Sequence, residues 1–203
     1  METYGVSRMT LRQALSVLEA EGLISRARGK GTFVTARQSA PRLEIPTTWQ
    51  EAVALSDVLG THSITESSQL IDSLPEHGMR CASASAARYR HLCRLHSINE
   101  QPFCYSEVYI EDALFRRHQK KFLSQAAASV IARIPGMEIS ESRQRISIIQ
   151  AGFQSANALH LNPGDSVAEV RRFASANGVV IYYARLEFPP QFVSLELDLL
   201  RAD

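Results

Sequence analysis

YGVSRMTLRQALSVLEAEGLISRARGKGTFV, residues 4–34, decides how this 203-residue chain is read. Gly5-Val6 makes a tight turn, and Ser7 is a good N-cap for a helix beginning at Arg8. Leu11, Ala14, Leu15 and Leu18 recur at helical spacing and predict one apolar face. Gly22 supplies the stop, because a left-handed backbone costs it nothing. Leu23 to Val34 then reads as a two-stranded hairpin with Arg28-Gly29-Lys30-Gly31 at its tip. Glycines there allow positive φ and a close approach to another backbone, while Arg26, Arg28 and Lys30 are spaced to neutralise phosphates. The tip is not a P-loop. Ile24 stands where the first glycine of that motif belongs, and Gly31 where its Ser or Thr belongs.

The order of turn, cap, helix, stop and basic hairpin is that of the second half of a winged helix-turn-helix, and it points to DNA. Arg8 and Arg12 lie one turn apart near the helix N-terminus, the end of a recognition helix that meets base edges and phosphates. Residues 1–37 hold Arg8, Arg12, Arg26, Arg28, Lys30 and Arg37 against Glu2, Glu19 and Glu21, within a chain whose net charge is only +1. The positive field therefore belongs to this segment. An ordinary solvated helix and hairpin would explain a basic run, but not the whole ordered set.

These residues resemble the GntR family of bacterial transcription regulators, matching its YGVSR-x-T-x-R and G-L-I…G-x-G-T-F-V pattern across Tyr4 to Val34. The resemblance implies DNA contacts from Arg8, Thr10 and Arg12 on the helix and from Arg28, Gly29 and Lys30 in the wing. It also implies an earlier helix and a Ser-Glu-Arg-Glu-Leu segment. Only Met1-Glu2-Thr3 precedes the turn, so the motif is expected to be truncated at its N-terminal side.

Apolar residues make up 45% of the chain, ample for a sizeable core and one or two domains. No apolar run approaches the ~20 residues of a membrane helix, and no signal-peptide pattern opens the chain, so a cytoplasmic protein is expected. Cys81, Cys93 and Cys104 are odd in number and form no CxxC pair, which fits free thiols in a reducing compartment. The expected division is a partial winged helix-turn-helix over 1–37, a proline-bearing linker over 38–46 and a second domain over 47–203.

The second domain mixes helices and strands, an α+β pattern. Helices are predicted over 49–59, 113–134 and 153–159, a turn at Asn162-Pro163-Gly164-Asp165, and strands over 87–96, 103–110, 143–150, 167–174, 179–188 and 194–200. A weak repeat runs at an offset of 78 residues. Arg94, Asn99, Tyr105 and Ser106 line up with Arg172, Asn177, Tyr183 and Ala184, which reads as one β-hairpin occurring twice.

This arrangement, with Ala156-Asn-Ala-Leu-His-Leu-Asn-Pro-Gly164 between the hairpins, is similar to the UTRA effector-binding domain of the HutC branch of GntR regulators. The resemblance implies an antiparallel sheet with helices, akin to chorismate lyase, an effector pocket on the sheet, and a homodimer on a pseudo-palindromic operator. Two-fold protein symmetry matched to two half-sites is also the physical expectation.

Arg94 and His96 are two apart on a strand and share a face, as do Tyr105 with Glu107 and Tyr183 with Arg185. Many UTRA domains grip an anion with Arg-x-Arg where Arg94 and His96 stand. This chain keeps the first arginine and has His96 for the second, which weakens the case for a phosphorylated sugar and leaves an anionic effector as one alternative. Expected effector contacts are Arg94, His96, Tyr105, Glu107, Tyr183, Arg172 and Arg185, with Ser63 and Ser129 in segments that donate to anions in the family. His91, Cys93 and His96 fit no zinc spacing, and the two histidines fall on opposite faces, so neither metal nor cofactor is expected. No catalytic constellation is evident. The sequence therefore points to a DNA-binding repressor controlled by a small molecule, not an enzyme. The alternative is a truncated small-molecule-binding and dimerisation module without operator affinity.

Overall fold

Helix α1 (Arg8–Ala20) starts where the sequence places it. Ser7 Oγ accepts the Thr10 amide at 3.1 Å and lies 2.8 Å from the Thr10 hydroxyl, which satisfies one amide of the first turn. The computed structural model describes residues 7–20, 24–27, 31–34, 43–58, 62–64, 69–75, 79–98 and 100–196, and the chain divides into two units, Met1–Arg42 and Leu43–Asp203.

In the first unit, strands β1 (Ile24–Ala27) and β2 (Gly31–Val34) pair antiparallel from Ile24↔Val34 to Ala27↔Gly31. Gly31 has φ +106°, a value an L-residue rarely adopts, where the chain leaves the tip. Arg26 ties the hairpin to the helix, donating to the Arg12 carbonyl at 3.4 Å and lying 3.4 Å from Glu19. Of the expected apolar face of α1, Leu15 and Leu18 are half-buried while Leu11 and Ala14 are exposed.

The second unit opens with β3 (Leu43–Glu44) and α2 (Trp49–Val58), which starts on a capping box: Glu51 accepts the Thr47 amide at 2.8 Å, and Thr48 Oγ1 accepts the Glu51 amide at 3.2 Å. Short strands β4 (His62–Ile64), β5 (Gln69–Ile71) and β6 (Ala84–Ser85) precede the long hairpin β7 (Tyr89–Ile98) and β8 (Gln101–Glu111). Three short helices follow, α3 (Asp112–Arg117), α4 (Gln119–Ser124) and α5 (Ala127–Ala132), then β9 (Glu141–Gln150) and α6 (Phe153–Ala158). A second long hairpin, β10 (Ser166–Ala176) and β11 (Val179–Phe188), leads through a 3-10 turn to β12 (Val193–Ser194).

The eight-stranded sheet runs β4-β7-β8-β11-β10-β9, with β5 on β7 and β6 on β11. A separate two-stranded parallel pair joins β12 to β3. Every pairing along the six-strand path is antiparallel, so the expected α+β class holds. Two element expectations need correction. The single helix over 113–134 is three pieces, because Gln125 adopts extended angles (φ −131°, ψ 161°) and His118 leaves the helical region at φ −125°. The strand over 194–200 is described only at Val193–Ser194, and residues 197–200 lie outside the described residues.

The two long hairpins bear out the repeat. The second turns through Asn177 and Gly178, both at positive φ (52° and 73°), a type I′ turn matched to strand twist. The first has Glu100 at φ 65°, and Asn99 lies outside the described residues. Each hairpin slips register once, after His96 and after Ala174. The residue left over is Phe103 in the first and Ile181 in the second, equivalent positions in the repeat. The hairpins meet through β8 and β11, where Glu107 pairs with Arg185, again equivalent positions. A pseudo-two-fold axis perpendicular to the sheet therefore passes between those two residues.

The sheet has two buried faces. On one, Leu92, Val108, Ile110 and Ala184 pack with Phe115, Phe122 and Ile131 of the helices after β8, and Trp49 closes edge-on over Tyr182. On the other, Tyr89, Tyr109, Phe173 and Tyr183 cluster, and Cys93 and Tyr105 pack with Leu159 after α6. Among the described residues no helix is long and apolar enough to cross a membrane.

Candidate functional site

In the first unit, Thr10 and Arg12 are exposed on the first turns of α1. Arg8 opens the helix, but its side chain lies outside the described residues, as do Arg28, Gly29 and Lys30 at the wing tip. β1 and β2 pair as far as Ala27↔Gly31.

In the second unit, the structure sorts the seven expected effector residues by face. Arg94, His96 and Arg172 share the helix-covered face with Tyr182, whereas Tyr105, Glu107, Tyr183 and Arg185 share the other. The bulges at Phe103 and Ile181 cause this. Without them Arg94 would sit opposite Tyr105 and Arg172 opposite Tyr183. With them Arg94 sits opposite Ser106 and Arg172 opposite Ala184, and a one-residue slip reverses every side chain beyond it. A pocket on one face therefore takes one set or the other.

The helix-covered face buries cations. Arg94 is 1% exposed and donates to the Gln125 carbonyl at 3.0 Å and to the Phe122 carbonyl; its Nε has no partner among the described residues. Arg172 is 7% exposed and donates through Nε at 2.8 Å, and again through Nη2, to Gln144 Oε1. Among the described residues neither guanidinium is paired with a carboxylate. Burial lowers the Arg94 pKa to about 10 and lowers that of Arg172, yet both stay charged at neutral pH. His96 Nε2 lies 3.1 Å from Ser106 Oγ, and Ser129 of α5 is buried with its hydroxyl unpartnered. Ser63 lies opposite Leu95 on β4, its side chain outside the described residues. An open cleft of about 270 Å³, lined by Thr47, Thr48, Trp49, Gln144 and Arg172 among others, reaches Arg172 from outside. Two cations are therefore buried on this face with no compensating carboxylate among the described residues.

The other face pairs its charges internally. Arg185 reaches Glu169 at 2.6 Å, Glu107 at 3.0 Å and Glu187 at 2.5 Å, and Arg171 Nε lies 2.7 Å from Glu169. Burial disfavours charge on Arg185, but these carboxylates outweigh it and push its pKa up. The His91 hydrogen bond holds the Glu107 carboxyl low, with Arg185 adding to the effect against burial. Burial also opposes charge on His91, whose bonds to Cys93 and Glu107 nevertheless raise its pKa to about 9.

Sequence reasoning missed Gln144, Trp49 and Ser106. Gln144 meets Arg172 only through the β9–β10 register, a contact 28 residues apart that no local pattern carries. Tyr182 stands on the face of the arginines because of the bulge at Ile181.

Comparison with known proteins agrees with both units. The UTRA domain model matches residues 67–194, and the model for bacterial regulatory proteins of the gntR family matches residues 1–34. The chain is 28% identical over 190 residues to the HTH-type transcriptional repressor NagR of Bacillus subtilis, covering 91% of this chain and 76% of that protein. It is 25% identical over 194 residues to the histidine utilization repressor of Klebsiella aerogenes, covering 92% and 76%. Among solved structures, the possible transcriptional regulator YydK of Bacillus subtilis superposes with a TM-score of 0.58 at 20% identity, over 98% of this chain and 85% of that one. The C-terminal domain of the histidine utilization repressor of Pseudomonas syringae gives 0.55 at 16% identity, over 70% and 99%. These structural likenesses establish the fold.

Proposed function

This chain belongs to the gntR family of bacterial regulatory proteins, in its UTRA-domain (HutC) branch, and on that premise we propose that it is a transcription repressor whose grip on operator DNA is set by a small molecule bound in the UTRA domain. Residues 1–37 contact DNA, through Arg8, Thr10 and Arg12 on the recognition helix and Arg28, Gly29 and Lys30 in the wing. Residues 38–46 link this segment to the effector-binding and dimerisation domain, 47–203. The protein acts as a homodimer in the cytoplasm and catalyses no reaction.

The effector carries negative charge and binds on the helix-covered face, where Arg94 and Arg172 grip it and His96 and Tyr182 limit its shape. Tyr105, Glu107, Tyr183 and Arg185 act from the opposite face, holding the strands that carry those residues. The observation behind this reading is the pair of buried guanidiniums without a carboxylate partner among the described residues. A coupling of about 1–3 kcal/mol between effector and operator is enough to switch occupancy.

Fluorescence anisotropy with the full chain and the control region of its own gene tests the reading. Binding is expected to prefer that DNA over a scrambled duplex and to weaken log-linearly with salt. Arg12→Ala is expected to cost about 1–3 kcal/mol of operator affinity. A chain that shows no such preference yet still binds ligand would instead be a sensing and dimerisation module.

A further inference from the structure

His91, Cys93 and Glu107 place an imidazole, a thiol and a carboxylate within 4.8 Å of one another on the face of the sheet opposite Arg94. The first two are alternate residues of β7, and Glu107 lies directly across the ladder from Cys93 on β8, so all three project from rigid, paired backbone. We propose that these three side chains form a binding site for a thiophilic divalent metal ion of the zinc class, separate from the effector site.

The donor set is right for such an ion. Nitrogen, sulfur and oxygen ligands together are the mixture that Zn²⁺ accepts, and they exclude the all-oxygen preference of Mg²⁺ or Ca²⁺. Two of the three spacings fit as well. Bonds of about 2.0–2.3 Å at tetrahedral angles put neighbouring ligand atoms ~3.3–3.8 Å apart. Here His91 Nε2 lies 3.6 Å from Cys93 Sγ and 3.5 Å from Glu107 Oε1.

The surroundings complete the argument. Glu107 turns Oε1 toward His91 and Oε2 toward Arg185 at 3.0 Å, so the arginine orients the carboxylate without occupying the ligand oxygen. The His91 ring stacks on Tyr109 with centroids 4.4 Å apart and planes 20° apart, which fixes the direction of its nitrogen. When an ion displaces the protons of His91 and Cys93, three carboxylates and a thiolate face the two guanidiniums of Arg171 and Arg185, a net negative setting suited to a divalent cation. His91 and Glu107 keep 15% and 18% of their side-chain surface exposed, which gives an ion entry and leaves a fourth position to water. Three protein ligands plus water is the arrangement of an open zinc site.

The sequence supplied His91 and Cys93 but not the third ligand, since Glu107 joins them only through the register that follows the Phe103 bulge.

The test is metal binding by the full chain, independent of DNA and effector. Equilibrium dialysis with Zn²⁺ is expected to show one equivalent bound. Co²⁺ in its place is expected to give a thiolate-to-metal charge-transfer band. His91→Gln should weaken binding by more than the about 10–100-fold that loss of an outer-shell partner costs. Cys93→Ser should abolish the charge-transfer band, and Cys81→Ser should leave both signals intact. Absence of saturable Zn²⁺ binding overturns the proposal. So does a cobalt complex without a thiolate band, or affinity that His91→Gln leaves unchanged.

Discussion

The two faces of the main sheet bury similar side chains and treat their charges in opposite ways. On one, Arg94 and Arg172 are buried with only carbonyl or amide oxygens as acceptors among the described residues; on the other, Arg185 sits amid Glu107, Glu169 and Glu187. A buried charge costs several kcal/mol unless something compensates it. Where compensation comes from the chain itself, the charge belongs to the architecture. Where it does not, the folded protein carries the cost, and in the function proposed above an anionic effector relieves it.

That contrast can be broken by experiment. The largest effect is expected from Arg185→Met, which leaves three carboxylates around a vanished cation. It should lower unfolding free energy by about 3 kcal/mol in a urea titration. Next comes Arg94→Met, which removes an uncompensated charge but orphans two carbonyls. These effects oppose each other, and stability should stay within about 1 kcal/mol of the parent while effector-induced release from DNA is lost. Equal destabilisation by the two substitutions would make Arg94 a structural residue and erase the difference between the faces. The smallest effect is Ser129→Ala, which deletes a buried hydroxyl without a partner and should leave the urea midpoint unchanged or raise it slightly.

The hairpins were legible because their signals are local. The β-branched and aromatic run from Val179 to Tyr183 and the Asn177-Gly178 turn say strand and reversal without reference to anything distant. The repeat was legible for the same reason, since Arg94 and Arg172 occur at matching distances before their turns. What could not be read were the bulges at Phe103 and Ile181. Neither is a glycine or proline, and each is defined only by the strand across from it. That one missing fact merged two faces into one site. The division of 113–134 into three helices was hidden in the same way, because Ser124-Gln125-Ala126 holds no strong breaker and the bends accompany packing of Phe115, Phe122 and Ile131 on the sheet.

The pseudo-two-fold axis has a consequence for assembly. A hairpin that meets its own copy across such an axis sets each axial residue against itself, so Glu107 would face glutamate and Arg185 would face arginine. Only the mixed partnership brings opposite charges together, at 3.0 Å. Each hairpin thus rejects its twin from a neighbouring molecule and accepts the other half of its own chain. A duplicated motif has acquired polarity at the one point where symmetry would otherwise let two newly made chains exchange halves.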